Sequence, residues 1–150
     1  MIFIEYDQAS KIDLPRELLE RTAAEALRQQ SAPDADLTLV LTGDARLRAF
    51  NKEFLHTDAP TDVLSFPSDE TDPETGRRYL GDVLISVQRA ASQAKAGKHP
   101  LEQEVQLLIV HGILHLLGHD HAGAGEKARM WTAQAAVLES LGLSQKLVHE

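Results

Sequence analysis

The sequence predicts an α+β layer fold of four strands and about five helices, one of the helices central and buried. Three observations point there. Short runs rich in aliphatic and β-branched residues recur at 1–6, 37–42, 61–66 and 80–87. Helically spaced apolar residues separate the first three runs, whereas only a polar stretch separates the last two. Residues 100–117 are apolar on nearly all sides, the pattern of a helix enclosed by its neighbours.

Each element has a local reason. Residues 1–6 (Met-Ile-Phe-Ile-Glu-Tyr) favour an extended chain. Asp13, Leu14 and Pro15 make a helix start: a capping carboxylate, then proline in the first turn. Leu18, Leu19, Ala23, Ala26 and Leu27 continue that helix to about Gln30. Residues 31–34 are a loop, and 37–42 alternates apolar and small polar side chains as a strand. Gly43 and Asp44 turn into a second helix, with Leu47, Phe50 and Phe54 on one side. A third strand covers 61–66. Residues 67–79 are polar, contain Pro73 and Gly76, and form a loop or hairpin tip. A fourth strand at 80–87 leads into a helix over about 88–96, which Gly97, Lys98, His99 and Pro100 break. The buried helix then runs to Leu117. A last amphipathic helix covers about 126–141, with Met130, Trp131, Val137 and Leu138.

The 150 residues fit one domain, 1–150, long enough for a core. There is no cysteine, so any metal must be held by histidine and carboxylate. The N-terminus carries Glu5 and Asp7 and lacks the marks of a signal peptide, and no apolar run has the length of a membrane span. A cytoplasmic protein without a membrane partner is expected. The formal charge of −8 argues against non-specific nucleic-acid binding. Positive charge is nevertheless gathered at Arg46, Arg48 and Lys52, and again at Arg89, Lys95 and Lys98.

Four of the seven histidines fall within residues 111–121. His111 and His115 lie one helical turn apart on the same face. Gly118 can end the helix in the left-handed conformation of a C-terminal cap, and the chain can then bring His121 back. Three converging imidazoles with a fourth position open are the ligand set of a catalytic zinc ion, one per chain. The spacing HxxxHxxGxxH is that of the metzincin proteases. The glutamate that serves HExxH enzymes as general base is replaced by Gly112.

Residues 51–67 (Asn-Lys-Glu-Phe-Leu-His-Thr-Asp-Ala-Pro-Thr-Asp-Val-Leu-Ser-Phe-Pro) and 80–86 (Leu-Gly-Asp-Val-Leu-Ile-Ser), taken with 111–121, resemble the YbeY family of bacterial zinc-dependent endoribonucleases. Order and spacing match across the whole chain. The resemblance implies a mixed four-stranded sheet with helices around it and a zinc site at one end of a cleft. It implies cleavage of single-stranded RNA, maturation of the 3′ end of 16S ribosomal RNA, and ribosome quality control. Small-subunit ribosomal proteins or a ribosome-associated GTPase are the implied partners. Carried over residue by residue, the zinc ligands are His111, His115 and His121. Two positions depart from the family. Its usual arginine after the aromatic residue is Leu55 here, which leaves His56, Arg48, Lys52 or the Arg77 and Arg78 pair to hold phosphate. Its usual tyrosine between Gly118 and Asp120 is His119, a proton shuttle, an RNA contact or a plain polar exchange.

Zinc on three neutral imidazoles would lower the pKa of its water to about 7. The resulting hydroxide would attack the phosphodiester phosphorus. Asp62, Asp82 and Asp120 are candidate carboxylates behind the imidazoles. As alternatives, Asp62 caps a turn and Asp120 braces its loop. Arg46, Arg48, Lys52, Arg89, Lys95 and Lys98 are the candidate RNA contacts. Two other classes fit part of the sequence. One is a zinc peptidase or amidase, supported by the ligand spacing and opposed by Gly112. The other is a non-catalytic ribosome assembly factor with a structural zinc, to which Leu55 gives weight.

Overall fold

The structure, a computed structural model, describes residues 1–7, 14–59, 61–120 and 122–143. Strands β1 (Ile2–Tyr6), β2 (Asp36–Thr42), β3 (Val63–Thr71) and β4 (Arg78–Ser86) form one sheet in the order β1-β2-β4-β3. β1, β2 and β4 run parallel, and β3 runs antiparallel to β4. The sheet is therefore mixed. Among the described residues five helices accompany it: α1 (Arg16–Gln29), α2 (Asp44–Leu55), α3 (Val87–Gly97), α4 (Leu101–Leu116) and α5 (Ala124–Ser140).

Side chains alternate across a sheet, and here the alternation makes two unequal cores. Leu37, Leu39, Leu41, Val83 and Ile85 face the larger one with Leu19 and Ala23 of α1 and Ile109 and Ile113 of α4. Val40, Leu64 and Leu84 face a smaller one with Leu47 and Phe50 of α2. α4 touches α1, α3, α5, β3 and β4, which makes it central as expected. Between Glu104 and Leu116 every residue is buried except His111 and His115. A helix enclosed on all sides is thus opened at the two imidazoles.

Boundaries differ from expectation in three places. Asp13 lies outside the described residues, and Pro15 is itself the cap, with extended backbone, rather than a first-turn residue. β3 continues to Thr71 and β4 starts at Arg78, so most of the expected loop at 67–79 is strand. This hairpin is solvated on both faces, which hides it from any apolar alternation, and β3 is an edge strand, where Pro67 is tolerated. Val87, expected to end β4, opens α3 beneath a Ser86 side chain that accepts from the backbone of Arg89. No helix among the described residues is long and apolar enough to cross a membrane.

Two polar contacts fix α4 and α5 in place. Ser140 of α5 donates to Glu25 of α1 at 3.1 Å. The Arg28 guanidinium is the main reason that the Glu25 carboxyl is held down to about 2 from 4.5. That surface contribution is present above the ordinary value and is lost as pH falls towards 2. The second contact is buried. His99 Nε2 meets Glu104 Oε2 at 2.7 Å, with the Glu104 side chain fully enclosed. The imidazole is charged only when protonated, so taking away its partner leaves a buried polar group unpaired, at a cost of about 1–3 kcal/mol. Glu104→Ala should lower the urea midpoint accordingly; a loss of under about 1 kcal/mol would show that the pair behaves like one at the surface.

Candidate metal centre

The geometry on α4 follows from helical spacing. Residues four apart share a face, and His111 Nε2 and His115 Nε2 point at each other across 3.2 Å. Two nitrogens at about 2.0–2.1 Å from one tetrahedral zinc would lie about 3.3–3.4 Å apart. The pair therefore already has the separation that one ion requires. The other nitrogen of His111, Nδ1, is 2.9 Å from Gln134 Oε1 on α5. An amide oxygen only accepts, so Nδ1 carries the proton and Nε2 keeps its lone pair. Gln134 is buried, and Trp131, one turn earlier, lies against the His111 ring with centroids 5.7 Å apart.

Gly112 explains the missing general base. A Cβ there would stand 2.5 Å from Val83 Cγ1 and 3.3 Å from both Ser65 Oγ and Val63 Cγ2. Ser65 also donates to the Gly112 carbonyl at 2.9 Å. Position 112 faces the sheet at a distance that admits no side chain.

α4 ends as its sequence predicts. Gly118 takes a φ of +96°, its N–H bonds the His115 carbonyl at 3.0 Å, and the His119 N–H reaches back to Leu114 at 2.9 Å. His121, the third expected ligand, lies outside the described residues. Among the described residues no group of three or more His, Cys, Asp or Glu side chains is placed to hold a metal.

The other expected residues fall in several places. His119 pairs through Nε2 with Gln30 Oε1, beyond the end of α1, at 2.8 Å. Asp120 is exposed and lines a depression of ≈ 310 Å³ with Leu117, His119, Glu126 and Arg129. Asp62 accepts from Gln93 of α3 at 3.2 Å, and its carbonyl accepts from the Ser86 N–H. Asp82 accepts from Tyr79 at 2.5 Å and lines the sheet face covered by α2. It therefore stands behind neither imidazole of α4. This is a correction to the sequence reading of Asp82, caused by strand alternation: its neighbour Val83 is the residue turned towards α4.

The basic groups divide likewise. Arg46 and Arg48 sit on α2, paired with Asp7 at 3.1 Å and Asp58 at 2.8 Å, and Lys52 lies in the last turn. Arg89 of α3 is 3.6 Å from Asp44. Lys95 and Lys98 are exposed at the end of α3, the helix that packs on α4. Arg77 and Arg78 cannot stand in for the arginine absent at Leu55. They pair with Asp36 and Asp69 at the hairpin end of β4. That is roughly 25 Å along the strands from Val63, which follows the loop containing His56. Sequence reasoning missed Gln134 and Arg129; their only signal is their position on the helix that follows the histidine motif.

The sequence model of the family described as Endoribonuclease YbeY matches residues 4–142. An Endoribonuclease YbeY of Heliobacterium modesticaldum is 39% identical, covering 86% of this chain and 84% of its own. One from Chloroflexus aurantiacus is 40% identical, covering 95% and 97%. The solution structure of a Thermotoga maritima protein is alike in fold, with a TM-score of 0.59 and 23% identity over 95% of this chain and 92% of its own.

The contact at Gly112 has a measurable consequence. Overpacking a core costs about 1–3 kcal/mol, more than the ~1 kcal/mol that alanine gains over glycine in a helix. Gly112→Ala should destabilise the protein in urea, and Val83→Ala added to it should restore part of the loss. A more stable Gly112→Ala protein would mean that the helix does not approach the sheet this closely.

Proposed function

This chain belongs to the YbeY endoribonuclease family, and from that premise we propose that it is a zinc-dependent endoribonuclease specific for single strands. Its task in this reading is maturation of the 16S ribosomal RNA 3′ end and ribosome quality control in the cytoplasm, with small-subunit ribosomal proteins or a ribosome-associated GTPase as partners. The observation that carries the metal is the pair of Nε2 atoms 3.2 Å apart. The family resemblance adds His121 as third ligand. When bound, zinc supplies a Lewis acid for a phosphodiester oxygen and lowers the pKa of water to about 7.

The rest falls to the chain itself. Gln134 holds the His111 proton on Nδ1 and so keeps the Nε2 lone pair turned towards the ion. The partial exposure of His111 and His115 suits a centre that must admit substrate, whereas a structural zinc is closed off by four protein ligands. Gly112 leaves no room for the carboxylate on which HExxH peptidases rely. Arg129 beside Asp120, and Lys95 and Lys98 on α3, are cations on the α4 side of the molecule able to hold phosphate oxygens.

Elemental analysis of protein purified without added metal should find one zinc per chain. His115→Ala should lose that zinc and the cleavage of single-stranded RNA while remaining folded; cutting retained by the metal-free variant would sink the metal mechanism. Support behind a metal-bound histidine typically governs affinity by about 10–100-fold. Gln134→Leu should weaken zinc binding by that factor in competition with a chromogenic chelator. Gln134→Glu, which keeps an acceptor, should not. Equal affinities for all three proteins would remove Gln134 from the site.

A further inference from the structure

The turn that follows His115 also builds a depression. It holds ≈ 310 Å³ and is lined by Leu117, Gly118, His119 and Asp120 after α4, and by Glu126 and Arg129 of α5. That volume stands at the lower end of small-ligand sites, about 300–1,000 Å³. The His119 ring is half-buried and held in place, because its Nε2 donates to Gln30 Oε1 at 2.8 Å, an oxygen that only accepts. A ring fixed in this way loses little freedom when a ligand stacks on it. Gly118, at a φ of +96°, has no atom of the described residues within 4 Å of where a Cβ would stand, so its backbone is bare to the depression.

Glu126 and Arg129 are three apart and share a face of α5. Both are exposed, and neither has an ion-pair partner among the described residues. The Arg129 guanidinium lies along the first turn of the helix, with Nη1 3.7 Å from the Cβ position of Gly125. The mixture of charge selects the ligand. A phosphate beside Arg129 would also face the carboxylates of Glu126 and Asp120, which repel it. A nucleobase instead carries donors and acceptors on one rim. Guanine offers two parallel donors, N1–H and the N2 amine, to a carboxylate, and two acceptors, O6 and N7, to a guanidinium. Bases of single-stranded RNA are bound by such edge contacts together with stacking on aromatic rings, imidazole included.

We propose that this depression is a guanine subsite of the RNA-binding surface. His119 stacks on the base, Glu126 accepts from N1–H and N2, and Arg129 donates to O6 and N7. The loop that lines it joins His115 to position 121, so a strand anchored there by one guanine passes the imidazole pair in a fixed register. Lys95 and Lys98 remain for the phosphates. The inference rests on the proposed function only in taking RNA as the ligand, and not on the metal.

The test uses the full chain and fluorescein-labelled heptaribonucleotides: UUUGUUU, the same strand with inosine or 7-deazaguanosine at its centre, and UUUUUUU. Binding is read by fluorescence anisotropy at one salt concentration, and a gel reports whether each strand stays intact. The guanosine strand should bind about tenfold more tightly than the inosine strand, which lacks the N2 amine, and than the 7-deaza strand, which lacks N7; one hydrogen bond to a charged group is worth that factor. Its margin over heptauridylate should be at least as large. Glu126→Ala should erase the preference over inosine, and Arg129→Ala the preference over 7-deazaguanosine. The ratio between strands is the readout, because the charge that each variant adds or removes acts on all strands alike. A guanosine strand that binds no better than heptauridylate overturns the assignment, as does a Glu126→Ala protein that still separates guanosine from inosine. The gel keeps the two readings apart. Guanosine preference in a protein that leaves every strand intact would sink the nuclease reading and keep the subsite; cutting without preference would do the reverse.

Discussion

The structure depends on how closely α4 lies against the sheet. Position 112 touches Val83, Val63 and Ser65, and only a hydrogen in place of a side chain allows that approach. The approach sets the depth of the larger core, since Ile109, Ile113 and Leu114 on the same helix are fully enclosed. It also sets the orientation of the histidines. With glycine turned to the sheet, the residues before and three after it are turned aside, towards α5, where Gln134 meets the first of them. One packing contact thus determines both the core and the direction of the imidazole pair.

Much of this was legible from the residues. The all-round apolar pattern of 100–117 gave the central helix, and motif order gave the family that residues 4–142 match. The imidazole spacing was legible because it is a local property of a helix. What escaped is non-local. Gln134 is one polar residue on a later helix, and nothing nearby says that its face meets His111. Asp82 was weighed by residue type alone, although the alternation of β4, with Val83 and Ile85 apolar, already set it on the other face. Asp62 was sought behind an imidazole and is engaged by Gln93 on α3, a contact between parts of the chain that no sequence period links.

The two faces of the sheet differ in charge as well as in cover. On the α4 side the exposed cations Lys95, Lys98 and Arg129 have no salt-bridge partner among the described residues. On the α2 side Arg46 and Arg48 are neutralised by Asp7 and Asp58, and the Arg48 guanidinium holds the Asp58 carboxyl below its usual range. A formal charge of −8 is therefore no uniform field. Within a Debye length of about 8 Å at physiological salt, a polyanion approaching one face and a polycation approaching the other would each meet attraction.

Pro67 interrupts the outer edge of β3, and the acids Asp69 and Glu70 follow it. An exposed strand edge can template pairing with another molecule, and such pairing needs a continuous row of amide donors. Proline removes one donor, and the charges beyond it would face like charges on a second copy. The free stretch left before Pro67 is four residues, Val63 to Phe66, short of the about five to six of a typical strand. The edge that runs beside the histidine helix can accordingly stay uncovered in solution without seeding intermolecular β-aggregation.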